Sequence, residues 1–227
     1  MNTYLGFCSA QVDATSLKNR SKYNILESEG IEQVYVLPLY SNTQSIAKCY
    51  NTYIKKYSTE DCILVLAHDD VLITDKNWID KLKQAFKTYD VVGLAGGINP
   101  KIQGPALWHL MCSKEDLKGS VNHVDYGNNS TFNTNFGKNG RVALLDGLFL
   151  AFNPKKIFEA GVNFDETCPA KFHFYDLDFS LQCNKAKLKL GTTNIGVTHA
   201  SPGLHSFTDE FKIGQDWFIN KARTGQY

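Results

Sequence analysis

The chain has 227 residues, and its 24 Lys and Arg nearly balance its 23 Asp and Glu, for a formal net charge of +1. That balance offers no electrostatic basis for nucleic-acid binding, which needs a basic surface. An apolar fraction of 43% is ordinary for a water-soluble domain, and a chain of this length can bury a large core without staples.

Strand-like and helix-like segments alternate through the first half, which predicts an α/β layer fold. Residues 4–9 form the first predicted strand, followed by a polar, helical stretch ending near Gly30. Residues 33–39, β-branched and aromatic, form the second. Residues 45–57 carry Ile46, Tyr50, Tyr53 and Ile54 at helical spacing, with Ser45 as N-cap. Residues 62–67 are an almost unbroken apolar run, the pattern of a strand buried on both faces, and they end in His68-Asp69-Asp70. An amphipathic helix over 75–89 and a strand over 90–95, closed by Gly96-Gly97, complete the regular half.

The second half is less periodic. The polar tract 126–141 is too rich in Asn and Gly to form core. Residues 142–152 read as a strand interrupted by Asp146-Gly147. Residues 154–160 read as a short helix with Pro near its start. A longer helix is predicted over 177–190, with Asp176 as N-cap and Gly191 as its stop. The tail, 204–227, has too many aromatic residues for a disordered end and is predicted to pack back over the domain. The six cysteines are scattered without a CxxC pair, which argues against a zinc ribbon and for a reducing, cytoplasmic setting. The first residues lack a signal-peptide pattern, and no apolar run approaches the roughly 20 residues that span a bilayer.

Four places could carry chemistry. His68-Asp69-Asp70 would put carboxylates at the carboxyl edge of a parallel sheet, where ligands bind in open α/β folds. Their oxygens suit Mg²⁺ or Mn²⁺, although two Asp residues could equally open a turn. Asp146 lies in a nearly apolar strand, a costly placement without a partner, metal or ligand, or else a structural bulge. Asp176 and Asp178, two apart at a helix start, cannot both be the cap, so one is free to act as a general base. His199 follows a β-like stretch and gains meaning only if it converges on Asp70.

Together these blocks resemble the GT-A glycosyltransferases, closely the family 2-type branch, over about residues 36–203. The run Ile63-Leu64-Val65-Leu66-Ala67-His68-Asp69-Asp70 resembles the strand leading to that family's DxD metal motif. Leu145-Asp146-Gly147, then Phe164-Asp165-Glu166, then Tyr175-Asp176-Leu177-Asp178-Phe179-Ser180-Leu181 is similar to its "DG…FDE…EDxDLSL" run. The resemblance implies an α/β Rossmann-like sandwich, with a central, mostly parallel sheet flanked by helices. It implies one domain over 1–227, with a nucleotide-binding half (1–97), an acceptor half (98–203) and a tail over the site (204–227). It also implies a sugar donor activated by a nucleoside diphosphate, most often UDP, a bound Mn²⁺ or Mg²⁺, and a glycan or other hydroxyl acceptor.

Carried over residue by residue, Asp70 and His199 would hold the metal. Asp176 would be the catalytic base of an inverting transfer, with Asp146 beside the donor sugar or acceptor. Phe7, Ser9, Asn42, Ser45, His68 and Asp69 would line the donor site. Two departures stand out: His68 where the family has Asp, and Tyr175 where it has Glu. The second leaves a retaining outcome open. A sugar nucleotidyltransferase is disfavoured because the loop Ala10-Gln11-Val12-Asp13 lacks the glycines that hold a triphosphate. A non-catalytic nucleotide-sugar or carbohydrate-binding module of the same fold is the remaining alternative.

Overall fold

The computed structural model describes residues 1–125, 128, 130–201 and 206–227. Strand β1 (Thr3–Cys8) leads through helix α1 (Ala14–Arg20) to β2 (Tyr35–Leu39), helix α2 (Ile46–Lys56) and β3 (Ile63–Ala67). β1 lies between β2 and β3, parallel to both. All five residues of β3 are buried. Ile63, Val65 and Ala67 enter one apolar core and Leu64 and Leu66 the other, as the alternation of side chains along a strand requires. Helix α2 covers the second face. Ser45 caps it by accepting the Lys48 N–H, and the hydroxyls of Tyr50 and Tyr53 donate to the carbonyls of Ala67 and Phe7.

Beyond β3 the chain enters β4 (Val71–Ile73), helix α3 (Trp78–Ala85), β5 (Val91–Gly93) and β6 (Ala95–Gly97). The segment read as one strand over 90–95 is thus two. β5 pairs in the first sheet and β6 in another, with Leu94 at the crossing. A short helix α4 (Trp108–Met111) precedes β7 (Leu117–Asp125) and β8 (Ser130–Gly137), an antiparallel pair. The described part of the polar tract is therefore mostly an exposed strand; residues 126, 127 and 129 lie outside the described residues. The interrupted strand over 142–152 resolves into β9 (Arg141–Val142), β10 (Leu144–Leu145) and β11 (Phe149–Phe152). Helix α5 (Pro154–Glu159), helix α6 (Tyr175–Lys185), β12 (Leu190–Thr192), β13 (Val197–His199) and helix α7 (Asp209–Arg223) complete the order.

Among the described residues the first sheet runs β2-β1-β3-β11-β5-β12-β9 and the second β10-β6-β7-β13-β4, with β8 on β7. In the first sheet only β11 and β9 run against the other strands. The fold is thus the α/β sandwich the sequence predicts, enlarged by a second sheet it does not announce.

Helix α6 differs from its predicted bounds at both ends. It begins at Tyr175, with Phe174 as N-cap in the left-handed region (φ 66°), so Asp176 is inside the helix and is not its cap. It stops at Lys185, and Gly191 lies within β12. Helix α7, capped by Thr208, packs so closely on the 170–174 segment that a Cβ on Gly214 would stand 2.5 Å from the Ala170 Cβ. Gln215 accepts the Ala106 N–H, and Lys221 forms ion pairs with Asp165 and the fully buried Asp178.

Candidate active site

The turn between β3 and β4 is His68-Asp69-Asp70, the point at which the chain leaves one sheet for the other. β13 pairs antiparallel with β4, with His199 opposite Val71, and this register sets His199 beside Asp70. His199 Nε2 lies 3.4 Å from Asp70 Oδ1, an ion-pair contact, and His68 Nδ1 lies 4.0 Å from the same oxygen. One ligand atom from each of the three residues falls within 4.8 Å of the others. Asp70 Oδ1 and His199 Nε2 are buried and have no hydrogen-bond partner among the described residues. Such orphaned polar atoms are costly, and a shared cation would satisfy both. Burial pushes the Asp70 carboxyl up, but the two histidines outweigh it and hold it at about 2. Burial lowers His199, and the adjacent Asp70 carboxylate more than reverses that, for a net rise. Two imidazoles and an ionised carboxylate fit a divalent transition-metal cation.

The other ring nitrogen of His68, Nε2, lies 2.6 Å from the Tyr175 hydroxyl. A metal-binding histidine commonly engages its second nitrogen in a hydrogen bond that fixes the ring. Here that bond leaves Nδ1 facing Asp70. Burial holds Tyr175 protonated, so the contact brings no extra charge to the cluster.

Asp176 faces the turn between β10 and β11. Its Oδ2 accepts the Gly147 N–H at 2.9 Å, and four residues on, Ser180 Oγ accepts the Leu145 N–H at 3.1 Å. Residues four apart share a helix face, so this pair docks α6 on the strand. Gly147 is required there, because a Cβ would stand 2.2 Å from the Tyr175 hydroxyl. The neighbouring Asp146 accepts from the Trp108 indole N–H (2.8 Å) and the Leu148 N–H (3.0 Å). Burial, then the nearby Asp146 charge, push the Asp176 carboxyl up to about 7, because the Leu177 and Gly147 N–H groups pull down less strongly.

Two adjoining cavities meet here. One, about 260 Å³, is lined by Ser9, Asn42, Asp69 and Asp70. The other, about 610 Å³, is lined by Asp146, Tyr175, Asp176 and His199. His68 and Phe172 line both. Asp69 accepts from the Ser9 hydroxyl at 2.6 Å and pairs with Arg20 at 3.3 Å. Phe7 and Ser45 line neither cavity: Phe7 is buried in the core, and the Ser45 hydroxyl is used in capping α2. Sequence reasoning missed Arg20 and Trp108. Arg20 closes α1 as an ordinary basic last-turn residue, and Trp108 sits in an aperiodic stretch.

Side chains able to hold a metal ion at the carboxyl edge of β3, with a carboxylate on α6 across from them, set in this two-sheet sandwich, match the arrangement of a GT-A glycosyltransferase. Residues 24–208 match the model of the glycosyltransferase like family, and the chain belongs to that family. Among solved structures, GalNAc-T7, crystallised with UDP, GalNAc and Mn²⁺, is similar in fold at 11% identity with a TM-score of 0.54. The match covers 100% of this chain and 51% of that one, so this chain spans about half its length. The protein A197 from STIV is similar at 14% identity and a TM-score of 0.49, with 92% of this chain and 87% of that one covered. No curated protein matches the sequence. No helix among the described residues is long and apolar enough to cross a membrane.

Proposed function

We propose that this chain is a metal-dependent transferase that moves a sugar from a UDP-linked donor to a hydroxyl of a glycan, with inversion at the anomeric carbon. The observation that carries this reading is the pair of buried atoms Asp70 Oδ1 and His199 Nε2, in ion-pair contact at 3.4 Å yet without a hydrogen bond, beside His68 at the junction of the two cavities. Family membership and the UDP and Mn²⁺ bound by GalNAc-T7 support it.

In this account Asp70, His199 and His68 hold the cation, which supplies positive charge for a departing nucleoside diphosphate. The smaller cavity, with Ser9, Asn42, Asp69 and Arg20, takes the nucleotide, so donor binding falls mainly to residues 1–97. Residues 98–203 form most of the larger cavity and serve the acceptor. Asp176 removes the proton from the attacking hydroxyl. The new bond forms at the anomeric carbon as its bond to the diphosphate oxygen breaks, with that electron pair leaving on the diphosphate. Asp146 raises the basicity of Asp176 through its like charge and holds Trp108 in place.

A thermal-shift screen of UDP-glucose, UDP-galactose, UDP-N-acetylglucosamine and their GDP counterparts, with and without Mn²⁺, tests the reading. At least one UDP-sugar should raise the melting temperature only when Mn²⁺ is present, since a ligand of the native state stabilises it by mass action. It should also release UDP slowly without acceptor. No Mn²⁺-dependent shift with any donor would remove the transferase reading. Binding without UDP release, with or without a broad acceptor panel, would favour the non-catalytic module.

A further inference from the structure

The larger cavity has a chemistry of its own. Five of the chain's six histidines border it, namely His68, His109, His123, His173 and His199. Part of its wall is aromatic. Trp108 packs edge to face on Phe136 with ring centres 4.8 Å apart, and the Trp108 indole is fixed by its hydrogen bond to Asp146. Thr134 and Phe136 of the exposed strand β8 both face the cavity. Two residues before Thr134, on the same face of β8, is Phe132. Phe132, half exposed, stands opposite His123 in the β7–β8 ladder with ring centres 5.5 Å apart.

No Lys or Arg is among the described residues lining this cavity, and Asp146 and Asp176 are its carboxylates. The sequence at 126–127, 129 and 202–205 holds no Lys or Arg either. Away from the edge where His68 and His199 meet Asp70, a phosphate or carboxylate would therefore enter a wall with no Lys or Arg and two acidic groups, and lose its hydration without a partner. A neutral sugar suits the same wall. Its apolar C–H face can lie on an aromatic ring, while imidazole and threonine groups take its hydroxyls.

We infer that the acceptor is an uncharged oligosaccharide whose terminal unit lies against Trp108 and Phe136, with its next unit directed along β8 towards Phe132. This inference rests on the transferase reading for its meaning, but its own evidence is the composition of the wall. It assigns Trp108 and Phe136 as specificity residues, touching the acceptor and not the nucleotide.

The test is saturation-transfer NMR on the purified protein with lactose, cellobiose, maltose and N,N′-diacetylchitobiose, and with 3′-sialyllactose and maltose 6′-phosphate as charged counterparts. UDP·Mn²⁺ affinity is measured on the same samples by calorimetry. At least one neutral disaccharide should receive saturation, and both charged sugars should bind about tenfold more weakly than it or worse. Phe136→Ala and Trp108→Ala should abolish the sugar signal, and Trp108→Phe should retain it, with UDP·Mn²⁺ affinity within about twofold of wild type throughout. Because Phe136 is only partly buried, its variant keeps the test valid if Trp108→Ala fails to fold. Saturation of no neutral sugar, equal binding of a charged counterpart, or an unaffected Phe136→Ala variant would overturn the inference. If the disaccharide binds but UDP·Mn²⁺ does not, the transferase reading falls and the wall assignment stands.

Discussion

The hydroxyl of Tyr175 meets Nε2 of His68 at 2.6 Å, and these two residues occupy the positions where related transferases are expected to carry carboxylates. The departures therefore pair with each other. A neutral phenol holds a neutral imidazole, and that imidazole presents its other nitrogen to Asp70. A glutamate at 175 would place another negative charge among Asp70, Asp146 and Asp176, so the tyrosine relieves crowding as well as orienting the ring.

Loss of that hydroxyl should weaken the metal site. In Tyr175→Phe, Mn²⁺ affinity, read by electron paramagnetic resonance in the presence of UDP, should fall by about tenfold or more, the usual effect of removing a partner that orients a ligand. Unchanged affinity would mean that the bond serves packing alone.

The donor set also predicts which cation serves. Imidazole nitrogens suit transition metals, whereas Mg²⁺ favours oxygen ligands in strict octahedral geometry. Mn²⁺ should support UDP binding better than Mg²⁺, and His68→Asp should narrow the difference. Equal support by both cations in the wild type would argue against His68 as a ligand.

Asp176 gives a pH prediction. Its carboxyl, raised to about 7 by burial and then by Asp146, is protonated below that pH and cannot accept a proton. kcat/KM should therefore fall as pH drops through about 7 and level off above it. Asp146→Asn removes one of the two upward influences, so the limb should move to lower pH. Asp176→Asn should bind UDP·Mn²⁺ normally and lose transfer by about 10²–10⁴-fold. A limb that stays in place in Asp146→Asn would separate the two carboxylates.

Helix α7 is held by a buried charge. Lys221 donates to Asp165 and Asp178, each at 2.6 Å, and Asp178 is fully buried. Lys221→Met leaves Asp178 without its cation and should cost about 3 kcal/mol or more in urea denaturation. Adding Asp178→Asn should restore much of that loss, because the uncompensated charge goes with it. Full stability in the single variant would show that the ion pair is incidental.

The central strand, the HDD turn, the Asp146-Gly147 break and the α6 block were legible because each is local: an unbroken apolar run, a charge where apolar residues end, or side chains four apart on one helix. What escaped depends on distant pairing. β7, Leu-Lys-Gly-Ser-Val-Asn-His-Val-Asp, has only three aliphatic residues in nine, too few to announce a strand, and only β6, β8 and β13 around it make it one. The exchange of sheets at Leu94 leaves no mark in an apolar run that continues through it. Phe174 is a bulky aromatic N-cap in the left-handed region, whereas Asp, Asn, Ser and Thr are the usual N-caps, so Asp176 two residues on reads as the cap instead. The Tyr175–His68 contact spans residues whose separate substitutions looked like losses and whose pairing only the fold reveals.

The most direct test is calorimetric titration of UDP into the protein with Mn²⁺, with EDTA, and with Asp70→Ala in Mn²⁺. The account predicts binding in the first case and its loss in the other two, with His199→Ala behaving like Asp70→Ala. Equal UDP affinity in all of them would contradict it, because the orphaned oxygen of Asp70 and nitrogen of His199 would then have no part in holding the donor.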